Sequence, residues 1–414
     1  MKTLQTPLSG QQIAPSASLT RVDQGDLCAG CGGCAGRFPH AIMMAPSHDG
    51  FARPVQIGAL SPKQDAELGR FCPGLGQRVD AGGRTDDPLW GPYVTAWTGH
   101  ATDPDQRHAG ASGGTVTALC CALLASGEVD AIVHVTADPA RPMANATVIS
   151  ETAEGVLRGA GSRYAPSSPL EILPDIMRDG RRFAVVGKPC DAAALAALRA
   201  DDPVIARAVP VILSFFCAGV PSSGGARGIL NALAVEEKDV ASFRYRGQGW
   251  PGQATATLRD GSARAMSYHE SWGGILSKHV QHRCKICADG TGMAADLVCA
   301  DAWEADQQGY PVFEERPGIS LVLARTHTGR TIAERAHRAG HLSLDPYDMA
   351  QLARIQPGQR ERRRALWARL AALKVLRRPV PDYQGLHVAS LRAQNPKRRN
   401  LKNFLGTLRR ALRG

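Results

Sequence analysis

Apolar positions change their period several times along the chain. Residues 114–125 (GTVTALCCALLA) are apolar on every side, the pattern of a buried helix, and a β-branched run at 131–136 (AIVHVT) reads as the strand after it. Residues 182–187 (RFAVVG) predict a strand, 191–198 a helix, 210–216 (PVILSFF) a strand and 224–233 a helix. Short twisted strands follow within 243–259, then a helix near 272–279 and strands at 296–300 and 320–324. Strands alternating with helices predict an α/β fold built on a mixed or parallel sheet. Ahead of this region, residues 1–27 read as a polar, flexible leader. Residues 28–80 are rich in Cys, Gly and Pro with little periodicity, a small loop-built module organised by something other than a core. Beyond about residue 345 the pattern is basic and helical.

Composition narrows this picture. A hydrophobic fraction of 43% and a charged fraction of 21% over 414 residues are those of an ordinary globular protein with room for two or three domains. No run of eighteen apolar residues predicts a membrane-spanning helix, and the first residues lack the apolar centre of a secretory signal. A cytoplasmic chain follows. The net charge of +11 is local: from Arg354 onward seventeen Lys and Arg face only Glu361 and Asp382, so the body is mildly acidic. Nucleic acid is therefore an unpromising partner, since its binders place basic residues along the functional groove. Within the tail, Leu366, Leu370 and Leu373 recur at helical spacing among arginines, and Phe404, Leu405, Leu408 and Leu412 repeat the pattern. Such helices can lie on an anionic membrane, which would make the chain peripheral to its inner face. They can equally dock on an acidic partner or form a solvated face.

Eleven cysteines require a different explanation in a reducing compartment, where disulfides seldom persist. Cys28-Ala-Gly-Cys31-Gly-Gly-Cys34 lets one tight loop present three thiolates to three corners of a cubane, with Cys72, next to Pro73, as the remote fourth ligand. The competing reading is a structural zinc site, for which two separated CxxC pairs are the usual spacing. Cys190 and Cys217 each follow a predicted parallel strand, at the sheet edge where open α/β folds bind ligands. Cys284-Lys-Ile-Cys287 adds a pair from a third segment. These four can close a second cubane, or Cys190 and Cys217 are buried small residues. Cys120, Cys121 and Cys299 read as core thiols.

Neither a dinucleotide fingerprint nor a P-loop is present. Instead Gly110-Ala-Ser112-Gly113-Gly114-Thr115 precedes a helix, where small residues let backbone N–H groups approach an anion such as a pyrophosphate. The same residues also suit a helix start capped by Ser112. Arg163, Tyr164 and Lys188 can hold phosphate or the electron-rich edge of an isoalloxazine, or be surface groups.

With these segments in order, the chain resembles the coenzyme F420 hydrogenase/dehydrogenase beta-subunit family, which includes ferredoxin-dependent reductases of chlorophyll intermediates. The resemblance rests on 110–119 (GASGGTVTAL), 163–166, 187–190, 214–219 and 284–303 (CKICADGTGMAADLVCADAW), and spans roughly 26–340. It implies an α/β flavoprotein domain that binds FAD and carries [4Fe–4S] clusters. Residues 1–85 would form a ferredoxin-like iron–sulfur module and 86–175 a flavin-binding segment. Residues 176–345 would hold the second cluster, and 346–414 a basic helical tail. On this reading Cys28, Cys31, Cys34 and Cys72 bind one cluster, and Cys190, Cys217, Cys284 and Cys287 the other. Ser112, Gly113, Gly114, Thr115, Arg163, Tyr164 and Lys188 contact the flavin. A ferredoxin-like donor would supply electrons, a small organic molecule would accept them, and His282 or His269 would provide a proton. A colourless, zinc-stabilised binding protein is the alternative. Two features depart from the family pattern: the N-terminal module has one CxxCxxC with a distant fourth cysteine, and the basic tail is additional.

Overall fold

The structure, a computed structural model, describes residues 13–303 and 314–413. Its centre is an eight-stranded sheet of β1 (Thr95–Ala101), β2 (Ala131–Ala137), β3 (Asn145–Ser150), β4 (Phe183–Gly187), β5 (Val211–Phe215), β6 (Leu297–Asp301), β7 (Ser320–Ala324) and β8 (Leu342–Pro346), in the order β8-β1-β7-β6-β5-β4-β2-β3. The middle four strands, β6-β5-β4-β2, are parallel, and antiparallel pairs extend the sheet on both sides. The sheet is thus mixed, with the parallel part where alternating strands and helices predicted it.

Residue alternation sorts the strands between two cores. Ile132, Ala184 and Leu213 point to one face, against helices α1 (Thr115–Ala125) and α3 (His327–Arg338). Val133, Val185 and Ile212 point to the other, against α2 (Pro189–Asp201). Cys120, Cys121 and Cys299 are buried in the first core, as their apolar surroundings implied.

The second core runs on without a break into the N-terminal module. Phe38, Leu68 and Phe71 share it with Leu170, Leu195 and Val185. Residues 13–27 are not a loose leader. Ser16 caps a helix, Ala17–Gln24, through its side chain, and Val22 and Leu27 are buried. The first twelve residues of the leader lie outside the described residues.

A three-stranded antiparallel sheet, Val240–Arg244, Gln253–Leu258 and Ala263–Ser267, packs with the helix Ser223–Ala232 and the segment 269–279. The helix expected near 272–279 is a π-turn, His269–Ile275, followed by a 3₁₀ turn, Leu276–His279. Gly273 and Gly274 in its middle are poor helix formers.

The basic C-terminal segment is integral to the fold. Helix α4 (Pro357–Val375) buries Leu366, Leu370 and Leu373 against Leu75, Ile286 and Met293. Asp382–Gln384 pairs in parallel with Gly76–Arg78 of the N-terminal module, and helix α5 (Lys397–Arg413) packs on α4. The leucines of α4 therefore face the interior, which removes this helix from the membrane-surface reading. In α5, Leu401, Leu405 and Leu412 are exposed. No helix among the described residues is long and apolar enough to cross a membrane.

Candidate functional site

Strands β4 and β5 end at a region where three segments bring cysteines together. In the N-terminal loop, Gly30 and Gly32 take φ of +76° and +80°, the left-handed turns that swing Cys28, Cys31 and Cys34 inward. A Cβ at Gly32 would stand 2.9 Å from the Ser168 carbonyl oxygen, so the turn also requires the missing side chain. Cys72 joins from the C-terminal end of the helix Pro62–Phe71. Burial raises all four thiols, Cys28 to about 11; neighbouring cysteines add to the rise of Cys28, Cys31 and Cys34, whereas the Arg283 charge and two backbone N–H groups moderate that of Cys72. Backbone N–H groups point at the sulfurs. Gly30 donates to Cys28 Sγ at 3.3 Å, while Gly33, Ala35, Gly74 and Leu75 do the same for Cys31, Cys34 and Cys72.

The second set forms in the same way. Cys190 lies in the first turn of α2, Cys217 just past β5, and Cys284 and Cys287 around the short helix His282–Lys285. Gly219 N–H donates to Cys217 Sγ at 3.4 Å, and Cys284 Sγ accepts from Val220 N–H and Gln281 Nε2, both at 3.4 Å. Burial pushes the Cys217 thiol up to about 12, with Cys284 and Cys287 adding to the rise, and Cys190 feels both Cys217 and Cys31. The two sets are neighbours. All eight cysteines are free thiols.

Among the described residues no group of three or more His, Cys, Asp and Glu side chains is arranged to hold a metal ion. A single zinc, with Zn–S near 2.3 Å, draws its sulfurs to within about 3.8 Å of one another. A cubane presents four separate corners, so its thiolates stand further apart while sharing one site. Two sets of four sulfurs gathered at one sheet edge fit the second description. In the second set Cys217 and Cys284 accept from N–H donors, whereas Cys287 Sγ donates to the Asp289 carbonyl at 3.2 Å and Cys190 Sγ stands 4.0 Å from Asp191 Oδ1. Such N–H donors favour a sulfur that carries negative charge over a neutral thiol.

Helix α4 closes this region. Gln359 Nε2 and Arg362 Nη1 donate to the Cys217 carbonyl at 2.9 and 3.0 Å, and Arg362 Nη2 to the Cys284 carbonyl at 3.0 Å. Arg369 Nη1 donates to the Lys285 carbonyl at 2.8 Å, and Arg363 is buried with bonds to the carbonyls of Ala288, Leu89, Pro88 and Leu386. Three arginines of the tail, Arg362, Arg363 and Arg369, are thus directed at the backbone of the cysteine loops. Nothing in the sequence pattern distinguishes these arginines from exposed ones, because their cysteine-loop partners lie 75 or more positions away.

Next to the cysteines lies a cavity of about 330 Å³, reaching from the 110–117 loop to Cys217 and Gly219. Ser112, Gly114, Thr115, Arg163, Tyr164 and Lys188 all line it. Gly113 lies behind the wall, its N–H donating to Ser320 Oγ at 2.9 Å. The N-cap of α1 is Gly114, in a left-handed conformation, and no side chain caps the helix. Ser112 instead donates to the Ile319 carbonyl at 2.8 Å. The first-turn N–H groups of α1 therefore have no side-chain acceptor and stand beside the cavity, an arrangement that suits an anion.

Two cations on the wall are already engaged. Arg163 commits its guanidinium donors to Asn145, Phe243, Pro142 and Ala144. Lys188 Nζ pairs with Asp191 at 2.8 Å and donates to Ser167 Oγ at 2.9 Å. Both hold the wall in shape rather than present a free charge to an occupant. Sequence reasoning missed the opposite wall. Arg246 and Asp301 form a two-pronged pair at 2.7 and 2.9 Å, and the guanidinium lies over the rings of Tyr268 and Trp303. Arg246 and Asp301 are 55 positions apart, and the group carries no recognisable spacing. Neither His282 nor His269 is among the lining residues. His282 lies instead near Asp26, Arg378 and Lys285, and burial lowers its pKa. His134 does line the cavity. Burial and Arg158 lower it to about 4, so it is neutral at pH 7.

A mixed α/β sheet whose parallel edge gathers eight cysteines beside an anion-ready cavity defines an electron-transfer oxidoreductase subunit. Comparison with known proteins makes the assignment specific. Residues 96–174 match the family model for the N-terminal part of the coenzyme F420 hydrogenase/dehydrogenase beta subunit, and 180–350 match that for its C terminus. The chain belongs to the coenzyme F420 hydrogenase/dehydrogenase beta-subunit family. It is 25% identical to the coenzyme F420 hydrogenase subunit beta of Methanococcus voltae, over 63% of this chain and 86% of that one. It is 23% identical to one of the subunits of the F(420)H(2) dehydrogenase of Methanosarcina mazei, over 79% of this chain and 87% of that one. Its fold matches a chain of the F420-reducing [NiFe] hydrogenase complex from Methanosarcina barkeri with a TM-score of 0.53 and 22% identity, covering 67% of this chain and 91% of that chain.

Proposed function

We propose that the chain is an iron–sulfur flavoprotein that takes single electrons from a ferredoxin-like donor and delivers them in pairs to a small organic acceptor. The observation that carries this reading is the convergence of two four-cysteine sets and an uncapped helix N-terminus on one sheet edge. Clusters bound there would supply one-electron transfer, and FAD bound in the cavity would supply the change to two-electron chemistry.

The chain's own residues have distinct tasks in this scheme. Cys28, Cys31, Cys34 and Cys72 would hold one cluster and Cys190, Cys217, Cys284 and Cys287 the other, with loop N–H groups stabilising the sulfur charge. The 112–115 turn and the first turn of α1 would receive the pyrophosphate. Arg246, Tyr268 and Trp303 form a dry, aromatic wall against which a planar ring system can stack. Tyr164 and Tyr268, joined by a side-chain hydrogen bond, place O–H groups at the cavity, whereas His282 and His269 do not line it. We therefore assign the phenols, not the histidines, to proton handling.

Anaerobic purification tests the proposal. The expected product is brown, with about eight iron and eight sulfide per chain, and releases FAD on denaturation. Cys284→Ala should lose about half of the iron and leave the N-terminal cluster in place. A colourless protein containing zinc, or unchanged iron in that variant, would sink it. The names of the relatives make coenzyme F420 the first acceptor to screen with reduced ferredoxin.

A further inference from the structure

Arg283 stands between the two cysteine sets. It is 1% exposed, and its Nη2 donates to the carbonyl of Pro73, the residue after Cys72, at 2.6 Å. Its charge acts on Cys72 of the first set and on Cys190, Cys284 and Cys287 of the second. The aromatic ring of Tyr383 lies 5.7 Å from the guanidinium carbon, and Nε is buried without a hydrogen-bond acceptor. The side chains that act most strongly on it are the Tyr383 phenol and the sulfurs of Cys287, Cys284 and Cys190. A buried guanidinium without a counter-charge is costly, and an arginine keeps its proton. Charged sulfurs on either side would supply the balancing negative charge.

We propose that Arg283 is a shared counter-ion for both clusters, a positioning residue that raises their two reduction potentials together. This rests on the reading that both cysteine sets carry clusters. In the transfer itself one cluster loses one electron and the other gains it, with no bond made and no proton moved. Each cluster becomes more negative by one charge on reduction. A fixed positive charge placed between them therefore favours the reduced form of either. Two other buried arginines nearby, Arg325 and Arg363, have the Asp289 carboxylate acting on them and direct their donors at backbone carbonyls.

The test uses the full-length holoprotein, reduced stepwise with dithionite and followed by electron paramagnetic resonance. Arg283→Gln removes the charge with little change in reach, and both potentials are expected to move negative together. Arg283→Lys keeps the charge on a shorter, unforked side chain and is expected to move both by less. With iron at the wild-type level, unmoved potentials in Arg283→Gln, or a shift confined to one cluster, would overturn the shared role. If Arg283→Gln is recovered without iron, Arg283→Lys decides: both potentials at or slightly below wild type support the role of the charge, while one cluster moving alone, or both moving positive, overturns the proposal. A wild-type protein with fewer than two clusters would instead show that the underlying assignment failed.

Discussion

A Cβ at Gly114 would lie 2.5 Å from the Gln106 carbonyl oxygen, and φ at this position is +71°. Gly114→Ala is thus both crowded and strained, by roughly 1–3 kcal/mol, and displaces the turn that leads into α1. We expect the variant to lose flavin while keeping its iron, measured by flavin release and iron content on one preparation. Loss of both in equal measure would mean that the glycine serves the fold alone. At the other end of the cavity, His134 shares a hydrogen bond with Ser150 Oγ at 2.8 Å and is held near pKa 4, chiefly by burial. The unfolded chain binds this proton near pH 6.5 and the folded chain only near 4. Its contribution is therefore fully present above pH 6.5 and is lost as pH falls towards 4, up to about 3 kcal/mol. His134→Gln should flatten the fall in melting temperature across that window. An unchanged profile would move the acid sensitivity elsewhere.

At the scale of elements, α4 changes the meaning of the basic tail. Arg362 bonds the carbonyls of Cys217 and Cys284 at once, tying two segments that carry cysteines of the same set. Hydrogen bonds from a charged donor contribute about 1.5–3 kcal/mol each, so Arg362→Ala should loosen the second set without touching the first. The expected readout is faster iron release to a chelator for about half of the iron, with the remaining half released at the wild-type rate. Uniform release from both sets would show that α4 supports the whole fold instead. The two tail helices differ in kind. The leucines of α4 are internal, whereas Leu401, Leu405 and Leu412 of α5 form an exposed apolar face among basic residues. Both carry the same leucine-and-arginine pattern in sequence, and only packing separates them.

Across the whole molecule, the N-terminal module and the central sheet share one hydrophobic core, and Asp382–Gln384 returns to pair with Gly76–Arg78. Cysteine sets that are far apart in sequence thereby become adjacent: Cys190 feels both Cys31 and Cys217. Continuous packing also holds the cavity against the second set, since Cys217 and Gly219 line it.

The sequence alone determined the features that depend on near neighbours. CxxCxxC with its glycines specifies a ligand loop because three thiolates and their left-handed turns fit within seven residues. The β-branched runs at β2, β4 and β5 specify the parallel strands, and small residues before α1 specify an open helix start. Long-range contacts were hidden: the Arg246–Asp301 pair, the arginines of α4, and the failure of His282 and His269 to reach the cavity. Each depends on where a remote backbone carbonyl or carboxylate comes to rest, which no local period encodes. Of the eight cysteines, Cys28, Cys31 and Cys34 read from their spacing as a ligand loop, whereas Cys190 and Cys217 read equally as ligands or as buried thiols. That the eight form two neighbouring sets with Arg283 between them was decided only by tertiary structure, because burial makes charge seek the nearest partner in space rather than in sequence.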